Sequence, residues 1–164
     1  CCEKTRFRKG SNDMVPIHHV SAAGVVRNEA GEVLLIRGPL RGWEIPGGVV
    51  ESHESVQDAL KREIWEESGV QVEITGFAGL CKNVELDIVN LEFCCRYLSG
   101  EPRGSEESLE VRWFSPAEAL KIVEFPLAKS WLEYILNGAE KVRCFSFRKN
   151  PFEILEDTLL PAGG

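Results

Sequence analysis

The chain has 164 residues, 43% of them hydrophobic, with 26 acidic and 19 basic side chains and a formal net charge of −7. That length suits one domain with a sizeable core, and no apolar run is long enough to span a membrane as a helix. The acidic balance argues against contact with a nucleic-acid polymer, which needs a basic face, but a bound cation would still admit a small phosphorylated ligand.

Residues 1–13 are polar and mixed in charge and are expected to form an N-terminal arm. Ile17 to Val26 reads as a strand, Asn28 to Gly31 as a turn, and Val33 to Ile36 as the returning strand. Gly38 to Gly42 is a loop, and Trp43-Glu44-Ile45 is a short strand ended by Pro46-Gly47-Gly48. A helix is expected over Glu54 to Ser68, with Gly69 as its stop. Val72 to Cys81 and Ile88 to Leu98 read as longer strands, followed by an acidic loop over Ser99 to Ser108 and a strand over Leu109 to Phe114. Ser115-Pro116-Ala117-Glu118 is a capping box with Pro at the first helical position, opening a helix to about Glu124. From Pro126 a second helical stretch places Leu127, Trp131 and Ile135 on one face, with Gly138 past its end. Beyond it, Val142 to Phe147 reads as an added strand and Asp157 to Gly164 as a tail. Strands with helices at two separated places predict an α/β sandwich with a mixed sheet. The expected division is a domain over residues 14–138 and a C-terminal extension over 139–164.

None of the six cysteines (Cys1, Cys2, Cys81, Cys94, Cys95, Cys144) forms a C-x-x-C pair or has zinc-finger spacing. They read as free thiols of a reducing, cytoplasmic setting, with Cys94 and Cys95 on opposite faces of a strand.

The informative segment runs from Gly48 to Val70. On a helix, Val56, Ala59, Leu60, Glu63, Glu66, Glu67 and Val70 are three and four apart and share one face. That stripe starts apolar and turns acidic where a helix should bury hydrocarbon. Carboxylates in such a place repel one another and are costly to desolvate unless a cation sits among them. Oxygen-only ligands suit a hard divalent ion, Mg²⁺ or Mn²⁺, rather than zinc.

Gly48, five residues, Glu54, seven residues, then Arg62-Glu63-Ile64-Trp65-Glu66-Glu67-Ser68-Gly69-Val70 resembles the Nudix box at every specified position. Gly42 to Gly48 is similar to the usual run-in, and Glu107 to Glu118 to the strand and helix start that follow. The resemblance implies a sheet between helices and hydrolysis of a diphosphate linkage in a nucleoside diphosphate derivative. Nucleoside triphosphates and ADP-ribose or other nucleotide sugars are both within its reach. It implies Glu63, Glu66 and Glu67 as metal ligands together with the Gly48 carbonyl, and Arg62 and Glu54 as structural support. One of the glutamates, or Glu107 from the later loop, would serve as base for the attacking water. Arg37 and Arg41 flank a loop and could pair with substrate phosphates or be plain solvated surface; Trp43 is a candidate pocket aromatic or a core residue. His53 takes the place where many relatives have a small residue, often Gly, and is given no role. The resemblance also admits a homodimer. The alternative reading is a non-catalytic Nudix-like module that binds or senses a nucleotide; the retained glutamates favour the enzyme.

Overall fold

A computed structural model describes residues 16–161 of the chain. The N-terminal arm expected over residues 1–13 lies outside them. The elements run β1 (His19–Arg27), β2 (Val33–Gly38), β3 (Gly42–Glu44), β4 (Gly47–Val49), α1 (Val56–Ser68), β5 (Gln71–Asn83), β6 (Ile88–Ser99), β7 (Glu110–Phe114), α2 (Pro116–Ile122), α3 (Pro126–Leu136), β8 (Lys141–Arg148) and β9 (Glu153–Pro161).

The strands form one mixed sheet in the order β3-β2-β1-β6-β5-β8-β9, with β4 paired to β1 and β7 to β2. β1 runs parallel to β6 and β5 parallel to β8; the other pairings are antiparallel. Because successive side chains point to opposite faces, each central strand feeds two cores. Ala22 and Val26 of β1, Leu34 of β2 and Phe93 and Cys95 of β6 pack against Leu60 and Ile64 of α1. Val25, Val33, Leu35 and Ala78 face the other way, against Ala119 of α2 and Trp131, Leu132 and Ile135 of α3. The expected α/β sandwich with a mixed sheet is the observed architecture. Cys94 and Cys95 divide between the two cores as period-two alternation requires, and the four cysteines among the described residues are free.

Helix α1 approaches the sheet closely because β1 has no side chain at Gly24. A Cβ there would lie 2.8 Å from Cys95 Sγ and 3.3 Å from Ile64 Cδ1. The helix starts two residues after Glu54, at Val56, because the Ser55 side chain caps it by accepting from the Asp58 N–H. It ends at Gly69, whose φ of 71° is the left-handed conformation that stops a helix. The capping box forms at α2, with Ser115 and Glu118 satisfying each other's backbone N–H.

The structure corrects the expected chain path in two places. Pro46-Gly47-Gly48 was expected only to end a strand; Gly47 and Gly48 instead form β4 with Val49, paired to Ser21, Ala22 and Ala23 of β1. Of the tail expected over Asp157 to Gly164, the part up to Pro161 is instead in β9, held along β8 and tied to it by Arg143–Asp157 and Arg148–Glu153 ion pairs; residues 162–164 lie outside the described residues.

Candidate active site

Burial on α1 differs from the stripe read in the sequence. The buried residues are Ala59, Leu60, Ile64 and Ser68, so the hydrocarbon seam runs beside the acidic positions rather than through them. Glu63 and Glu67 flank that seam and are partly buried, whereas Glu66, with 56% of its side chain accessible, faces outward. The site therefore draws on the edge of the helix where it meets β4.

That edge is built around missing side chains. The Glu63 carboxylate lies so close to Gly48 that a Cβ there would be 2.5 Å from its Oε2. The Gly47 N–H donates to Glu67 Oε2 at 2.9 Å, and a Cβ at Gly47 would run into the Ala22 carbonyl of β1. Two glycines thus let the backbone of β4 touch both carboxylates while β4 stays hydrogen-bonded to β1.

Arg62 organises the opposite side. Its Nε and Nη2 form a fork on Glu54, at 3.1 and 2.7 Å, and its Nη1 donates to Glu63 at 2.9 Å and Glu66 at 3.0 Å. A fifth bond, 3.1 Å to the Val49 carbonyl, ties the helix to β4. Glu54 also accepts from the Glu51 N–H at 2.7 Å, closing the turn that enters the helix. In that turn His53 has φ 72°, which accounts for the advantage of a small residue, Gly above all, at this position.

The electrostatics are those of a crowded anionic site. Burial, followed by repulsion from Glu63, Glu44 and Glu107, pushes Glu67 up to about 7 against the hydrogen bond from Gly47. Burial likewise raises Glu63, with Arg62 opposing and Glu66 and Glu107 adding to the rise. Glu107 is exposed, but its loop lies against α1, where Glu66, Ser105, Glu106 and Glu107 line a shallow depression.

Among the described residues no three acidic, histidine or cysteine side chains are closed up as a ready metal cage. Arg62 draws Glu63 and Glu66 toward itself, and Gly47 holds Glu67. The donor set nonetheless fits a hard cation: it is oxygen-only, mutually repulsive, and opposed to a backbone with no side chain in the way.

Beside this edge opens a cavity of about 620 Å³, within the range of small-molecule sites. Gly47, Gly48 and Glu67 form one end, and β1, β6, the start of α3 and the β8–β9 turn form the rest. Of the three residues expected to hold substrate, Arg41 lines it, paired with Glu44 at 3.1 Å. Arg37 and Trp43 are not among its lining residues. Arg37 bonds Glu110 across β2 and β7, and Trp43 packs edge-on against Phe114 at 4.9 Å beneath the Arg112 guanidinium. Sequence reading missed Ser21, Glu44, Asn90 and Glu92, which also line the cavity. The signal for the last two was their period-two spacing, which puts two polar side chains on one face of a central strand.

The sequence and the fold match known proteins. The NUDIX domain family matches residues 17–135, and the chain belongs to that family of pyrophosphohydrolases acting on nucleotides. Among its relatives is a "MutT-like protein" of Streptomyces ambofaciens, 45% identical over 104 residues, covering 63% of this chain and 68% of the relative. A "putative 8-oxo-dGTP diphosphatase" of Bacillus subtilis strain 168 is 28% identical over 120 residues, covering 72% of this chain and 80% of the relative. The crystal structure of a MutT protein from Bacillus halodurans superposes with a TM-score of 0.67 at 26% identity, covering 88% of this chain and 99% of that one. Members of the family typically depend on a divalent metal. Among the described residues no helix is long and apolar enough to cross a membrane.

Proposed function

We propose that the protein hydrolyses a diphosphate linkage in a nucleoside diphosphate derivative, of the nucleoside triphosphate or nucleotide-sugar type. The observation that carries this reading is the edge where Glu63 meets Gly48 and Glu67 meets Gly47, opening into a cavity of about 620 Å³. Glu63 and Glu67 would hold Mg²⁺, or Mn²⁺, with Glu66 after release from Arg62 and with the Gly48 carbonyl. Such an ion supplies charge neutralisation on the diphosphate oxygens and a more acidic bound water.

The chain's own residues have the remaining tasks. Arg62 keeps Glu54, Glu63 and Glu66 in register through its fork, so that carboxylate positions survive the loss of one bond. Glu67, which lines the cavity and accepts the Gly47 N–H, would be the first candidate base for the attacking water. Glu107 is the second candidate base, on the loop facing Glu66. Arg41 stands at the cavity and would leave Glu44 to meet a substrate phosphate. The β1–β4 pairing fixes Gly47 and Gly48 while these side chains rearrange.

Product analysis tests the reading. With Mg²⁺, a panel of triphosphates, ADP-ribose and sugar nucleotides is expected to include a substrate cut at its diphosphate bond. Glu67→Gln is expected to keep the fold and lose most activity, because an amide is a poorer metal ligand and no base. Saturable nucleotide binding without turnover of any member would overturn it in favour of a binding module. Full activity in a folded Glu67→Gln protein would overturn the site assignment.

A further inference from the structure

Strand β9 ends the sheet on one side, and among the described residues no strand pairs with its outer edge. On it, Ile154, Leu155, Leu159 and Leu160 are each between 44% and 54% exposed, and none of them joins either core. A free edge with apolar side chains along it is a template for another strand. The same edge carries Glu153, Glu156 and Asp157, which turn away partners that cannot accommodate acids.

The order of residues on β9 selects the partner. Counted outward from Asp157, Glu156 and Thr158 are both polar, Leu155 and Leu159 are both leucine, and Ile154 and Leu160 are both apolar. The strand therefore reads nearly alike in both directions. In a symmetric antiparallel pair each residue opposes its mirror position about the two-fold axis, so the strand must be complementary to itself. With the axis at Asp157, Leu155 of one copy faces Leu159 of the other, and Ile154 faces Leu160. Moving the axis by one residue, to Glu156 or to Thr158, sets Asp157 against a leucine. The like-charge contact of the favoured register, Asp157 against its own copy, is destabilising when bare. Here each Asp157 is held by the Arg143 guanidinium, in a fork at 2.8 and 2.9 Å, so two compensated acids meet at the axis. A bulge leaves Leu155 without a direct partner on β8, so the pairing segment is short, from Leu155 to Leu159, with Ile154 and Leu160 beside it.

We propose that the outer edge of β9 binds a second copy of this chain, antiparallel about a two-fold axis at Asp157, so that two sheets join into one. The leucines supply the apolar contact, and the Arg143–Asp157 pairs make the axis tolerable. So short a pairing is small beside a standard interface, and a dimer with a dissociation constant of about 1–100 μM is expected. β9 lies beyond the residues that match the family, so this surface belongs to the chain's own C-terminal hairpin. The proposal does not depend on what the cavity holds, and neither Leu155 nor Leu159 lines it.

Sedimentation equilibrium of the full chain from about 1 to 100 μM tests this. The mean mass is expected to rise from one chain toward two across that range. Leu155→Glu combined with Leu159→Glu sets like charges opposite one another and should weaken the dimer by about a hundredfold or more, leaving the mass of one chain throughout. Leu155→Glu combined with Leu159→Lys sets opposite charges in the same places and should restore the rise. Both positions are exposed, so thermal melts of the two variants should stay close to that of the unaltered protein. One chain mass for the unaltered protein at every concentration would overturn the proposal, as would a dimer that Leu155→Glu with Leu159→Glu leaves intact. A mass rising beyond two chains would also overturn it, because a two-fold pairing closes the edge. An opposite-charge variant as fully monomeric as the like-charge one would overturn the register about Asp157.

Discussion

At the residue scale the site depends on two backbone positions that tolerate no side chain. A methyl group at Gly48 must displace the Glu63 carboxylate, because its Cβ would be 2.5 Å from Oε2. Gly48→Ala is expected to lower activity by about 10–100-fold, the scale of supporting contacts at metal sites, with a melting temperature close to that of the unaltered protein. Hydrolysis rates measured beside thermal melts check this; unchanged activity would refute it. The buried acids set a pH dependence of stability. Burial places Glu67 at about 7 and Glu92 at about 8, above the value of about 4.3 expected in the unfolded chain. The folded protein thus holds protons that the unfolded chain releases. The corresponding stability is full below about pH 4.3 and is lost as pH rises through about 7 and 8. Metal-free protein should melt at falling temperatures across that interval, and Glu92→Gln should flatten its upper part. A Glu92→Gln protein with an unchanged slope would show that this carboxyl does not stay protonated. The glutamates of α1 were legible in the sequence because their chemistry and spacing are local. Glu92 was not, since its environment is made through Ser21, 69 positions from Asn90, and by the charge of Arg143 on β8.

At the element scale, caps and alternation were readable and short pairings were not. Gly69 and the Ser115–Glu118 box mark helix ends through side-chain and φ requirements that act within four residues. Ser115→Ala is expected to cost about 1 kcal/mol in denaturant unfolding, because it leaves the Glu118 N–H without its cap. No loss of stability would mean that the box is redundant. β4 carries no propensity signal, being two glycines and a valine; it is a strand because β1 lies beside it. β9 is exposed at every position, so no burial pattern could announce it. The acidic stripe of α1 was misplaced for a related reason. Helical spacing fixes which residues share a face, but the partner surface decides which strip of that face is covered, and here it centres on Ile64.

On the scale of the whole molecule, the C-terminal hairpin is joined to the site through Arg143. The residue is 8% exposed, and its guanidinium forks onto Asp157 of β9 at 2.8 and 2.9 Å, bonds Ser130 Oγ at 2.9 Å, and lies 5.1 Å from the Trp131 ring. Arg143→Met keeps much of the stem but strands Asp157 and exposes the Trp131 face. It should destabilise the fold by about 2 kcal/mol, read in denaturant unfolding; Asp157 is partly accessible, which limits the loss. A change within about 0.5 kcal/mol would show that the hairpin is only appended. The β1–β6 pairing has its own consequence for how the protein acquires its site. β1 and β6 align residue for residue from His19 with Ile88 to Arg27 with Arg96, across a long stretch of intervening chain. Local hairpins such as β5–β6 close with little entropic cost, whereas this parallel closure must bridge the whole chain between β1 and β6. The Ser21–Asn90 bond, and with it the floor of the cavity, has no existence before that closure. A nucleotide held at that cavity would bind the folded chain alone, so its binding free energy would be set against unfolding.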